Sequence, residues 1–410
     1  MQVLLRGDWR QRLRLISGLI LFAFATTHFL NHALGLFDLQ TMYEVQQWRW
    51  LVTRSWPGTI ILAAALLTHI VLALDKLSDR ATLRLPAWEF IQLALGVSIP
   101  FLLLPHIVNT RLAREIFGVN DTYLYELARL WPDSAVLQST LLLLVWIHGC
   151  MGIHFWLRLY APYRKFQPFL LLIAIIIPIA ALGGFMVGGR AVAQMIADPK
   201  TFDEVKQLSH WPSPDNADRL AAMRLIVRLV FAAMLTAALG LLVWPAIQRR
   251  YWPHFIINYV GGGSANCTFG PTLLEISRMN GIPHASVCGG RARCSTCRVR
   301  VEEGIDAIPP ATFPEAVTLA SIGAPPNVRL ACQIRPRGPM TVPRLLRPST
   351  ASPADVDEAE RGSEGIEKPL AAFVLDLRDF TRLSQKKMPH DVVFMPVSYT
   401  HLTLPTIYSV

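Results

Sequence analysis

The sequence predicts a multidomain chain: an all-α bundle of six membrane-spanning helices, then a small α+β domain, then the opening of an α/β domain. Three observations carry this. Six apolar segments each approach the roughly 20 residues that span a bilayer. A tight loop with three cysteines follows them, flanked by short alternating segments. Beyond it, a stretch rich in Pro, Ser, Ala and charge precedes a final strand–turn–helix pattern. The boundaries read as 1–250 for the bundle, 251–346 for the cysteine-bearing domain and 347–369 for a linker. They continue as 370–395 for a truncated third domain and 396–410 for a non-native tail.

Composition agrees with a membrane chain. Of 410 residues, 52% are hydrophobic and only 17% charged, too apolar a balance for an average soluble protein. The net charge is +10. No basic stripe with interleaved aromatics accompanies it, so nucleic acid is not an expected partner. The basic residues sit beside apolar runs instead, and membrane lipid is the expected surroundings. The N-terminus shows no cleavable signal, because the apolar run from Leu15 is too long and lacks a small-residue cleavage site.

The six apolar segments run roughly over 13–37, 58–74, 88–108, 137–159, 168–187 and 225–247. Arg6, Arg10, Arg12 and Arg14 precede the first. Lys76, Arg80 and Arg84 lie between the second and third, and Arg158, Arg164 and Lys165 between the fourth and fifth. Arg249 and Arg250 follow the sixth. The alternate loops mix their bases with Glu115, Asp121, Glu126, Asp203 and Glu204. The positive-inside rule then places both termini in the cytoplasm, in the inner membrane of a bacterium.

Histidines are the informative residues of this region. His28 and His32 are four apart on the first segment and share a face. His69 lies in the second segment, His106 near the end of the third, and His148 and His154 in the fourth. Ionisable groups at membrane depth need a reason, and paired imidazoles between facing helices are a standard holder of b-type haem. Counting rise along alternating spans puts His28, His32 and His106 toward the outside and His69 and His154 toward the inside. His148 falls near the midplane. The expected ligands are His28 with His106 and His69 with His148, for two haems, with His32 and His154 as alternates. Polar bonding between helices is the competing role for any one of them. The strings Thr26-Thr-His-Phe-Leu-Asn-His32 and Trp146-Ile-His-Gly-Cys-Met-Gly-Ile-His154 resemble the membrane cytochrome b subunits of succinate dehydrogenase and fumarate reductase. That resemblance covers about 10–190 and implies haem B and a quinone site.

The cysteine loop reads Cys288-Gly-Gly-Arg-Ala-Arg-Cys294-Ser-Thr-Cys297, a C-x5-C-x2-C pattern, with Cys332 following after 34 residues. Four thiolates suit a [2Fe–2S] cluster, two per iron. Gly289 and Gly290 let the backbone curl around an inorganic core, and Ser295 and Thr296 leave N–H groups to point at sulfur. A structural zinc site would show two close Cys/His pairs, and disulfides do not suit a cytosolic segment. Cys150, in an apolar run, and Cys267, in a loop, read as inert. Phe255-Ile-Ile-Asn-Tyr-Val260 alternates as a first strand, Gly261-Gly-Gly263 is a turn, and 272–280 reads as a short helix stopped by Gly281. Residues 297–301 and 340–342 read as further strands. At these residues the chain resembles a ferredoxin of the adrenodoxin-like type, over about 254–346, which implies a β-grasp fold.

In the last part, Leu370-Ala-Ala-Phe-Val-Leu-Asp-Leu-Arg-Asp-Phe-Thr reads as a buried strand ending at Asp376 and a turn into a helix. An Asp there can hold Mg²⁺ against phosphates. The string resembles the opening of a class III nucleotide cyclase domain. The resemblance implies Mg²⁺ or Mn²⁺ on Asp376, with the Leu377 carbonyl as a further ligand, and a homodimer of the full-length protein. Asp379 stands where that family more often has Gly. The second metal-binding Asp, the base-recognising residues and the transition-state groups have no counterparts, so the 410-residue chain itself is expected to make no cyclic nucleotide. Residues 396–410 resemble translated adapter sequence. The whole reads as a membrane redox sensor gating an adenylate cyclase. The alternative is an electron-transfer protein between quinone, haem and cluster.

Overall fold

The computed structural model describes residues 8–261 and 263–346, and Asp376 and the remainder of 347–410 lie outside the described residues. The chain divides into two compact units, Met1–Ile247 and Gln248–Val410.

Among the described residues, the regular structure of the first unit is all helix. Six helices are long and apolar enough to cross a membrane. They are α1 (Trp9–Ala33), α3 (Trp56–Ser78), α4 (Ala87–Ile107), α7 (Ala135–Leu157), α8 (Ala161–Met195) and α10 (Pro214–Gln248). Between them lie α2 (Leu39–Thr53), α5 (Ala113–Phe117), α6 (Tyr123–Leu130) and α9 (Pro199–Leu208). The 25 residues of α1 reach about 37 Å at ~1.5 Å each, enough for a hydrocarbon core of ~30 Å. Local chemistry sets the ends. Asp8 caps α1 by accepting from the Gln11 amide, Ser55 caps α3 through Gly58, and Asp38 caps α2 through Thr41. Most residues in each apolar window keep their side chains on the outside of the unit, where lipid tails would cover them.

Two features differ from the sequence expectation. The helices α8 and α10 run 35 residues each, well past their apolar stretches. The turns of α10 that precede its apolar stretch are polar, and Arg224 there donates to Asn109 Oδ1 at 2.8 Å. The short helices α2, α6 and α9 also fall in what read as loops. They are too short and too polar to announce themselves by hydropathy. All three lie in the connections between the first and second, third and fourth, and fifth and sixth spans, so they gather at one end of the bundle. Several arginines of this end are ion-paired, Arg54 and Arg114 with the buried Asp121 and Arg129 with Glu126.

Helix α1 is central, lying against α3, α7 and α8, while α4 lies against α7. Ala25, Phe29, Leu142, Trp146 and Ala181 form one buried cluster, and the Trp146 indole donates to the Ala174 carbonyl at 2.7 Å. Close backbone approach needs small residues here: a Cβ on Gly184 would collide with the His32 carbonyl. Near its end, α4 carries Pro105 and then passes through a π-helical turn at Val108–Leu112. A proline that removes one helical bond beside an inserted residue accounts for the widened turn, next to His106.

The second unit is α+β. Its strands are β1 (His254–Val260), β2 (Ser264–Thr268), β3 (Arg298–Arg300), β4 (Val328–Leu330) and β5 (Met340–Pro343), with helices α11 (Leu273–Met279) and α12 (Phe313–Ser321). β1 pairs antiparallel with β2 and parallel with β5, and β3 pairs antiparallel with β4. Bridges Val299↔Arg344 and Glu303↔Thr341 join the two sheets into one β-grasp-like arrangement. In β1 the alternation seen in sequence is literal: Phe255, Ile257 and Tyr259 are buried and their neighbours exposed. Gly261 and Gly263 turn at φ +66° and +81°. Helix α11 begins with a capping box between Thr272 and Glu275. The elements β2, α12 and β4 had no distinct signal in the sequence.

Candidate functional site

The loop from Cys288 to Cys297 leaves α11 and enters β3. Gly289 and Gly290 take φ +67° and +80°, and Ala292 takes +52°, so the loop curls through the left-handed region three times. Its four cysteine partners are all buried. They fall into two pairs, with Cys288 facing Cys294 and Cys297 facing Cys332. Two sulfurs on each side suit two irons, whereas a single zinc needs four ligands around one point. Among the described residues no group of three or more His, Cys, Asp or Glu converges on such a point. None of the six cysteines is in a disulfide.

The loop aims donors at sulfur. The Arg291 amide lies 3.3 Å from Cys288 Sγ, and the Thr296 hydroxyl lies 3.0 Å from Cys294 Sγ. Donation from the Cys294 thiol and from the amides of Arg293, Cys294 and Arg291 holds the Cys288 thiol below its usual range, while the same contact with Cys288 and burial push Cys294 up. Burial, in contrast, pushes the Cys267 thiol up to about 12, as expected of an inert packing residue.

Cys332 arrives from β4 and is held by several bonds. The Ala331 amide donates to the Cys297 carbonyl at 3.0 Å, and the Leu274 amide to the Ala331 carbonyl at 2.9 Å. Just upstream, Arg329 makes a two-pronged ion pair with Glu315 of α12, both bonds 2.9 Å. Glu315 Oε1 also accepts from the Leu330 amide at 2.9 Å, and Arg329 reaches the Pro309 carbonyl at 3.0 Å. Helix α12 touches the loop from its other side, where Thr318 donates to the Ala292 carbonyl at 2.5 Å. Neither Glu315 nor Arg329 stood out in the sequence, because a Glu and an Arg fourteen residues apart carry no local signal.

Residues 262–337 match the family described as the 2Fe-2S iron-sulfur cluster binding domain. Over 68 residues the chain is 38% identical to 2Fe-2S ferredoxin-5 of Aquifex aeolicus, covering 16% of this chain and 71% of that protein. The chain belongs to the [2Fe–2S] ferredoxin family. Its ferredoxin domain is also 32% identical over 84 residues to terpredoxin of Pseudomonas sp, covering 20% of this chain and 79% of that one. With the 2Fe-2S ferredoxin of Escherichia coli K12 it shares 33% over 75 residues, 18% of this chain and 68% of that one. The ferredoxin domain thus has a [2Fe–2S] cluster as its cofactor, and the three cysteines of the loop with Cys332, just after β4, are its only closely grouped thiols among the described residues.

In the helical unit the structure brings the expected histidines together two by two. The rings of His28 and His106 have centroids 6.4 Å apart, and those of His69 and His148 6.3 Å. Imidazoles paired in this way could hold a haem iron between them, which would supply one-electron chemistry. Nδ1 of His69 is occupied by the Arg14 carbonyl at 3.1 Å, with Ser17 Oγ at 3.3 Å. Nδ1 of His28, His32, His106 and His148 is shielded and has no hydrogen-bond partner. Glycines on the facing helices make room. A Cβ on Gly18 would sit 2.9 Å from the His69 ring, and one on Gly96 3.0 Å from the His148 ring.

The two alternates stand apart from these pairs. His32 lies 4.6 Å from His28 between ring centres, with Tyr123 and Phe185 edge-on against it. His154 is turned to the Tyr163 hydroxyl at 3.0 Å.

Proposed function

We propose that this chain is a membrane redox sensor. Its bundle would hold two b-type haems, on His28 with His106 and on His69 with His148, and its ferredoxin domain would carry the second kind of redox centre on the cytoplasmic side. The output is the synthesis of cyclic AMP from ATP by the class III cyclase domain whose opening 370–395 resembles. The observation that carries the haem part is the spacing of the two imidazole pairs, 6.4 and 6.3 Å, in a chain that also has a ferredoxin domain. The residues fit the group: facing imidazoles, unpartnered ring nitrogens and glycine-made space inside an apolar bundle. Bound haem would supply one-electron chemistry at membrane depth, and a quinone is the lipid-soluble partner class that such chemistry suits. The positive flanks support termini on the cytoplasmic face.

The output part rests on Asp376 and its neighbours, and a homodimer through the cyclase domain belongs to it. The test is to express the chain with its native genomic continuation beyond 395 and assay membranes under oxidising and reducing conditions. Cyclase activity that needs Mg²⁺ or Mn²⁺, is lost in Asp376→Ala and changes with redox state supports the sensor. Absence of activity in both states turns the reading to a membrane electron carrier.

A further inference from the structure

The cysteine loop carries a concentration of positive charge. Residues 288–298 include Arg291, Arg293 and Arg298 and no Asp or Glu. Arg298 follows Cys297 directly and opens β3, where it pairs with Leu330. Strand alternation sends its neighbour Val299 into the hydrophobic core and Arg298 to the other face. Yet Arg298 is 0% exposed and is the largest fully buried side chain among the described residues. Its guanidinium turns back onto the loop. Nη1 donates to Ser295 Oγ at 2.9 Å and lies 3.5 Å from the Ser295 carbonyl oxygen, which also accepts the Arg298 amide at 3.2 Å. Ser295 stands between Cys294 and Cys297, and all three are buried. Arg300, two residues on, reaches solvent and pairs with Glu302.

A charge in this position acts on electron affinity. A [2Fe–2S] cluster on four thiolates is a net anion, and reduction adds one more negative charge without adding a ligand. A fixed cation nearby therefore stabilises the reduced form more than the oxidised one. The effect is large only where water is excluded, since a low local dielectric strengthens the Coulomb attraction and mobile ions screen it less. Arg298 meets that condition, and its bond to Ser295 fixes it against the turn that supplies two of the ligands. Burying a cation is costly, and a net anionic cluster inside the same loop offsets that cost.

We infer that Arg298 sets the reduction potential of the [2Fe–2S] cluster, holding it above the value the four thiolates and the loop amides alone would give. Arg298 acts through its charge and through the Ser295 bond that holds the charge in place, so it is a positioning residue rather than a ligand. The cluster then accepts an electron from donors too weak to reduce it without the cation. The inference rests on the ferredoxin domain and is independent of haem in the bundle.

The experiment uses the full chain in membranes, with the reduced-state paramagnetic signal of the cluster followed through a redox titration. In Arg298→Gln the cluster should assemble and titrate at a lower potential. Where wild type is half reduced, the ratio of reduced to oxidised cluster should fall roughly tenfold or more. Arg298→Lys keeps the charge and should lie closer to wild type than the Gln variant does. Arg300→Gln removes an exposed charge and should leave the midpoint in place. The shift in Arg298→Gln should persist from low to high salt, as a surface effect would not. A wild-type potential in Arg298→Gln overturns the inference. So does an equal shift in Arg300→Gln, or a shift that vanishes at high salt. A Lys variant displaced as far as the Gln one makes geometry rather than charge the cause, and overturns it too. If Arg298→Gln assembles no cluster, Arg298→Lys and Ser295→Ala decide. Arg298→Lys should then hold the cluster near the wild-type potential, and Ser295→Ala, which frees the guanidinium, should titrate lower. Loss of the cluster in Arg298→Lys, or a wild-type potential in Ser295→Ala, overturns the inference in that case.

Discussion

His69 on α3 and His148 on α7 face each other edge to plane, with ring centroids 6.3 Å apart and planes at 90°. Each ring is seated against a glycine of the next helix, Gly18 for His69 and Gly96 for His148. The two helices start 79 residues apart in the chain, as Trp56 and Ala135, so the meeting is made by packing alone. If the pair holds a haem, His69→Leu or His148→Leu should each halve the haem per protein in a pyridine haemochrome assay. The remaining low-spin signal should then be abolished by adding His28→Leu or His106→Leu. Haem content unaffected by all four changes would remove these residues as ligands.

Steric change at the glycines should imitate loss of the ligand. Gly18→Val and Gly96→Val drive a branched side chain into an imidazole, where even a Cβ sits at 2.9 or 3.0 Å. Overpacking of this kind costs about 1–3 kcal/mol, and here it tilts the ring as well. The expected spectrum is that of His69→Leu. Gly240→Ala on α10, with open space around its Cβ position, is the control and should retain both haems. A Gly18→Val protein with the wild-type spectrum would contradict the seating.

The cluster assignment predicts a division among the six cysteines. Serine at Cys288, Cys294, Cys297 or Cys332 should abolish or severely alter the visible absorption and the reduced-state paramagnetic signal. Cys150→Ser and Cys267→Ser should preserve both. Because metal binding and folding share one free energy, stripping iron with a chelator should also unfold the ferredoxin domain. Stoichiometric zinc in place of iron would refute the assignment.

Glu315 and Arg329 should matter without touching the cluster. Removing one partner of a buried pair leaves the other charge uncompensated, a loss of about 3–5 kcal/mol. In Glu315→Ala the Leu330 amide also loses its acceptor, two residues from Cys332. Urea should therefore bleach the cluster at a much lower concentration than in wild type. Exchanging both residues for apolar ones of similar volume should recover part of the loss, and equal sensitivity of Glu315→Ala and wild type would show that the pair is idle.

The reach of the sequence differed between the two units for a physical reason. Signals with a short period were legible: apolar runs of bilayer length, the alternation of Phe255, Ile257 and Tyr259, the Thr272–Glu275 cap, and three cysteines within ten residues. These depend on neighbours along the chain, so composition and spacing determine them. Depth counting put His28 and His106 at one level, because helix rise is regular. It grouped His69 with His154 and left His148 near the midplane, whereas packing sets the His148 ring 6.3 Å from that of His69. Tertiary structure alone decided which residues surround those rings. Gly18 and Gly96 are ordinary small residues until α1 meets α3 and α4 meets α7. Glu315 and Arg329 meet only when α12 packs on β4. Contacts between distant segments are selected by shape and by the need to satisfy buried charge, and neither leaves a period in the sequence.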